Sequence, residues 1–117
     1  MPLEAVIVAP KAAGVAGLRQ VAALMNPPLR IEAGFGGAWV VARDPDAHLV
    51  AALQRPQQAA CAEDIPRCAD EPVPEASVGG VWTEAVVPFT QAQPGLTWVA
   101  AVAVASGGRM LVKGAGA

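Results

Sequence analysis

Apolar and polar positions change their period along the chain, and each change predicts an element. EAVIVAP, residues 4 to 10, is short, β-branched and closed by proline, as in a strand buried on both faces. From Lys11 to Met25 the step lengthens. Val15, Leu18, Ala22 and Met25 recur at three- and four-residue intervals, the stripe of one helix face. Asn26-Pro27-Pro28 ends that helix, because proline lacks an amide proton and disfavours helix in the residue before it. LRIEAGF (29 to 35) alternates Leu29, Ile31 and Ala33 against Arg30 and Glu32, and AWVVAR (38 to 43) reads as its strand neighbour. Asp44-Pro45-Asp46 then predicts a second helix: a capping carboxylate, proline at the first position, and another acid near the positive end of the dipole. Leu49, Val50 and Leu53 would be its buried side, and Pro56 its stop.

Residues 55 to 77 lose any period and are rich in proline, glutamine and acids, which predicts a long loop or linker. Strands are expected again at 78 to 89 and, past a Pro-Gly turn at 94 and 95, at 97 to 106. Gly107-Gly108 predicts a two-residue hairpin returning through RMLVK, residues 109 to 113. The tail GAGA is expected to fray. This order predicts a single α+β domain over residues 1 to 117, with an acidic, proline-rich loop at 55 to 77. Its fold would be a ferredoxin-like split βαβ sandwich, two helices on one face of an antiparallel sheet, with an added C-terminal β-hairpin. A β-rich domain pairing its edges with a second copy is the rival.

Composition turns this outline toward association. Apolar residues make up 54% of the 117 and charged ones 15%, against about 25% charged in an average domain. So few charges leave apolar surface uncovered, and such surface marks partner sites. Five of the ten acids (Glu63, Asp64, Asp70, Glu71 and Glu75) fall between 63 and 75, leaving a mild basic excess elsewhere. No run of Lys or Arg appears and there is no tyrosine, so the features of a nucleic-acid groove are missing. The opening MPLEAVIVAP has an acid before its apolar run and no basic leader, and no apolar run is long enough to span a bilayer. The expectation is a cytoplasmic protein with no membrane insertion.

GFGG, residues 34 to 37, is the stretch nearest to a phosphate-binding loop. The third glycine of G-x-G-x-x-G is missing, the Walker lysine-serine pair is absent, and a strand follows where a helix N-terminus is needed. AGFGGAWVVA, residues 33 to 42, resembles one glycine-rich signature of the GHMP small-molecule kinases, in which a glycine-rich turn joins two strands of a ferredoxin-like half. The serine-bearing phosphate loop of that family has no counterpart, so the resemblance implies a shared way of turning a hairpin and no kinase activity. Cys61 and Cys68, with a single histidine in the chain, do not make a structural zinc set. In a reducing compartment they are expected as free thiols. His48 has Asp44 four residues earlier, a spacing that serves helix stabilisation, and no serine or cysteine can be assigned to it as a nucleophile.

Two readings of function follow. The leading one is a non-enzymatic module that homo-oligomerises or joins a larger protein assembly, with no cofactor, no metal and no nucleic acid. Among Trp39, Trp82 and Trp98, all placed on predicted strands, most are expected in the core. Trp82 and Trp98 are the interface candidates, Trp82 foremost because its same-face neighbour is Glu84. The alternative is a small-molecule-binding protein or small enzyme with its site on the open sheet face. Glu32, Glu84, Trp82 and Arg109 would line that site, and the 55-to-77 loop would cover it. It requires the strands of Glu32 and Glu84 to be neighbours.

Overall fold

A computed structural model describes residues 2–11, 14–34, 38–58 and 80–113. Strand β1 (Leu3–Ala9) leads to helix α1 (Val15–Ala23), then to strands β2 (Arg30–Gly34), β3 (Trp39–Arg43) and β4 (Leu49–Gln54). A two-residue strand, β5 (Gln57–Gln58), precedes β6 (Val81–Val87), and a 3-10 turn (Phe89–Gln91) opens helix α2 (Ala92–Ala105). Strand β7 (Arg109–Lys113) closes the order. The sheet runs β2-β3-β4-β6-β1-β7, with β5 pairing β6 beside the end of β4. All pairings are antiparallel. Because β6 and β7 both run against β1, they are parallel to each other with β1 between them, and α2 makes the crossover.

The α+β class, the antiparallel sheet and the pair of helices on one face match the sequence reading. The identity of the second helix does not. Residues 44 to 48 form a tight turn and 49 to 54 a strand. The Asp44 carboxylate accepts N–H bonds from Asp46 (3.0 Å) and His48 (2.9 Å), as a helix cap would. The Ala47 N–H donates to the Asp44 carbonyl at 2.9 Å, and a left-handed Ala47 (φ 66°) turns the chain back. The bend lets β4 pair with β3 on one side and with β6 on the other, two ladders an isolated helix would forgo.

The stretch expected as a strand at 97 to 106 is the body of α2. Alanine, the strongest helix former, fills it between the valines, and Pro94 and Gly95 sit in its first turn. Gly107-Gly108 is no hairpin. The Gly107 N–H donates to the Val104 carbonyl (3.0 Å) and the Gly108 N–H to the Ala103 carbonyl (2.9 Å). With Gly107 at φ 76° this is a Schellman cap, in which a left-handed residue satisfies the last carbonyls. Thus β7 pairs with β1 instead of folding back on residues 97 to 106, and the added C-terminal hairpin does not exist.

Both helices cover one face of the sheet. Leu18 and Ala22 of α1 and Trp98, Val99, Val102 and Ala103 of α2 share a core with Ile7, Val50, Leu53 and Val87. Much of the sheet side of this core is alanine, so the backbones approach closely. One such approach of helix to sheet is at Gly95, where an added Cβ would meet a Val87 methyl and lie 2.5 Å from the Val50 carbonyl oxygen. On the opposite face Val6, Val8 and Leu111 are buried, with Trp82 packed against them. Among the described residues neither helix is long and apolar enough to cross a membrane.

Candidate functional site

The residues expected around an open-face site are only partly brought together. Strand alternation does place them on one face. Glu32 stands opposite Val41, Val41 opposite Ala52 and Ala52 opposite Val86, two residues from Glu84. The strands of Glu32 and Glu84 are not neighbours, however, since β3 and β4 lie between them. Three strand spacings separate their backbones by roughly 14 Å, so the two carboxylates cannot act as a pair. Glu32 instead accepts a 2.6 Å bond from Nε of Arg43 on β3. This half-exposed ion pair also relieves the opposition of Arg30 and Arg43 across the β2–β3 ladder.

Trp82 and Arg109 flank Val8 from its two sides, and Glu84 stands opposite Val6. The ground between them is the buried cluster of Val6, Val8 and Leu111, a filled apolar floor. Trp98 is on a helix, not a strand, and is fully buried, so within one chain it meets no partner. Its indole N–H, like that of Trp82, has no hydrogen-bond partner among the described residues. The proposed cover at 55 to 77, Cys61 and Cys68, and the Phe35–Gly37 part of the glycine stretch all lie wholly or largely outside the described residues. Gly34 and Trp39 do pair across β2 and β3, so the glycine stretch joins two antiparallel strands as read.

A cavity lies on the other face. A space of about 240 Å³ opens at the end of the sandwich where α1 begins and α2 ends. Its apolar wall includes Ile7, Leu18, Val40, Leu53 and Val102. Each comes from a different element, and each is on the helix-facing side of its strand or the sheet-facing side of its helix. The residue pattern that builds the core thus builds the cavity wall, which stays open because the side chains meeting there are short.

Polar groups in the lining are few. Thr83, on β6 opposite Ile7, is only 8% exposed, yet its hydroxyl has no hydrogen-bond partner among the described residues. Ser106 is also buried, but its hydroxyl donates to the Val102 carbonyl at 2.8 Å and is satisfied. Lys11 and Arg55 stand at the mouth, both exposed and neither ion-paired among the described residues. The described lining holds no carboxylate, imidazole or thiol.

Asp44, Asp46 and His48 bring three possible ligand atoms within 4.8 Å of one another. Their geometry is that of the turn: one Asp44 oxygen takes two backbone N–H bonds and the other lies 3.3 Å from Nδ1 of His48. Partial desolvation acts to raise the Asp44 pKa, but the His48 and Asp46 N–H groups and the His48 ring prevail and hold it below its ordinary value. Comparison with known proteins finds no matching family, no matching curated protein and no matching solved structure.

Proposed function

We propose that this protein is a small-molecule-binding module whose site is the cavity between the sheet and its two helices. One observation carries the reading: a half-open apolar space of about 240 Å³ between the sheet and its two helices, with Thr83 in its lining. Apolar walls with a few convergent polar groups are the usual make-up of a ligand site. The polar groups in the lining bind and orient but do not form a nucleophile–base pair, which favours holding a ligand over transforming one. In fold terms, β4-β6-β1-β7 with the two crossing helices follows a ferredoxin-like split βαβ order, and β2–β3 is a hairpin added beyond it. The site therefore lies mostly in the common part of the sandwich, with Val40 of the added hairpin completing its wall.

The test uses 1-hexanol as a neutral probe, followed through the methyl resonances of Leu18, Leu53 and Val102. Saturable shifts confined to these methyls, abolished by filling the space with Val81→Phe, are the expected result. Unperturbed methyls at millimolar probe remove the reading.

A second reading, self-association, is favoured by the outer face of the helix layer. Arg19 is the single charged residue in α1 and α2 together, while Val104 of α2 is 74% exposed and Leu24, just past α1, 82%. A solvated helix face is ordinarily polar. Light scattering that gives a concentration-dependent mass, returned to the monomer by Val104→Lys, would support it. A monomer at all concentrations would end it.

A further inference from the structure

We propose that the protein forms a two-fold dimer through the free edge of β2, two copies pairing antiparallel about Ile31 so that Arg30 of each faces Glu32 of the other. This is independent of the cavity, and it uses a different surface from the exposed valine of α2.

The edge is open. β2 ends the strand order, and among the described residues no strand pairs with its outer side. Such an edge presents unpaired N–H and C=O groups, a template for another chain. Sheets commonly blunt it with lysine or other charges that repel a second copy. β2 instead carries Arg30 and Glu32, one charge of each sign, two residues apart. Alternation puts both on the outer face of the sheet, with Ile31 between them on the helix side.

Backbone geometry limits the registers. In an antiparallel ladder each residue turns its N–H and C=O to one side, and the next residue turns them to the other. Outward residues of one copy must meet outward residues of the second, so even numbers face even and odd face odd. A register centred on Glu32 sets Glu32 against Glu32, and one centred on Arg30 sets Arg30 against Arg30. Centred on Ile31, the two copies bring Arg30 opposite Glu32 twice, once on each side of the axis. Side chains directly opposite stand about 5 Å apart at Cβ, within reach of an ion pair.

Both side chains are placed to take these roles. Arg30 is exposed, has no carboxylate partner among the described residues and stands opposite another cation, Arg43, within its own chain. Glu32 gives Oε1 to Arg43, yet its side chain is 43% exposed, which leaves Oε2 for a second guanidinium. On the helix side Ala33, exposed in one chain, comes opposite Leu29 of the second copy. Pro28 has no N–H and ends the ladder there. The joint is short, as suits a weak, reversible dimer. The other free edge, β7, does not match itself, since pairing about its middle residue Leu111 would set Arg109 against Lys113. Each copy therefore has one self-complementary edge, and the assembly closes at two.

Sedimentation equilibrium over a concentration series measures the dimer, and amide hydrogen exchange locates it. The expected result is a mass rising toward two chains, with added protection in β2 and none in α2. Arg30→Glu and Glu32→Arg each turn both cross-strand pairs into like charges, and each should weaken the dimer about thirtyfold. An equimolar mixture of the two variants restores opposite charges across the joint and should recover the parent's association. Circular dichroism of each variant checks its fold. If either is unfolded, Arg30→Glu combined with Glu32→Arg in one chain makes the same exchange and must dimerise. Val104→Lys should leave the dimer unchanged. A monomer up to millimolar concentration, association that Arg30→Glu does not weaken, or a mixture no tighter than its components would each overturn the proposal. Association lost with Val104→Lys but kept with Arg30→Glu would assign it to the helix face instead.

Discussion

Replacing Gly95 by alanine reverses a common rule of helix stability. In an exposed helix interior alanine is favoured over glycine by about 1 kcal/mol. Gly95 is in the first turn of α2, where the helix presses on β6 at Val87 and on β4 at Val50. A Cβ there would overlap a Val87 methyl and come to 2.5 Å from the Val50 carbonyl oxygen. The methyl can rotate, but the carbonyl belongs to backbone held in the sheet, so α2 itself must move. Overpacking of this kind costs up to about 3 kcal/mol, and set against the helical gain it leaves a net loss of about 2 kcal/mol. For a domain of this size that lowers Tm by roughly 8 °C. Gly17 provides the control. It lies in α1, half-buried, with nothing within 4 Å of an added Cβ, so Gly17→Ala should gain about 0.5–1 kcal/mol. Urea unfolding of both variants, followed by far-UV circular dichroism, measures the pair. A Gly95→Ala protein as stable as Gly17→Ala would refute the close approach of α2 to the sheet.

Other outcomes follow from local geometry. Gly107→Ala must hold a side chain at φ 76° in the cap of α2 and should lose about 1–2 kcal/mol in the same denaturation assay. Glu32→Gln removes a half-exposed ion pair with Arg43, so stability should change by less than about 1 kcal/mol. A larger loss would show that Glu32 does more than this pairing. Asp44 has a folded-state pKa below its ordinary value, so its contribution to stability is full above the unfolded value and is lost as pH falls through the folded one. Carboxyl NMR titration should find it among the most acidic aspartates, and Asp44→Asn should weaken the acid dependence of the 44–48 turn. A titration at or above the ordinary value would contradict the two N–H bonds.

What could be read from the residues, and what could not, divides along physical lines. Local rules found β1, α1, β2 and β3, because each has one period and a clear stop. At Asp44 a local rule misled, since a carboxylate that accepts two following N–H bonds serves a turn as well as a helix start. Ladder pairing on both sides of β4 decided the matter, and that is a long-range fact. In α2 the alternation of valine and alanine mimics a strand, and the proline and glycines nearby, which carry turn signals, open and cap the helix. Alternation also put Glu32 and Glu84 on the same face correctly, but strand order, which no period encodes, put two strands between them. The cavity was hidden for the same reason. Its residues come from six stretches spread from Ile7 to Ser106, and the one local hint was Thr83, a hydroxyl on the apolar side of an alternating strand.

The position of β1 has a consequence for synthesis. This apolar strand lies between β6 and β7, both encoded near the far end of the described chain. On the ribosome, Leu3–Ala9 must wait until β6 (Val81–Val87) has been made before either flanking partner exists. Until then its sticky ribbon of Ala5, Val6, Ile7 and Val8 is a target for chaperones or for neighbouring nascent chains, and slow translation should raise aggregation rather than relieve it.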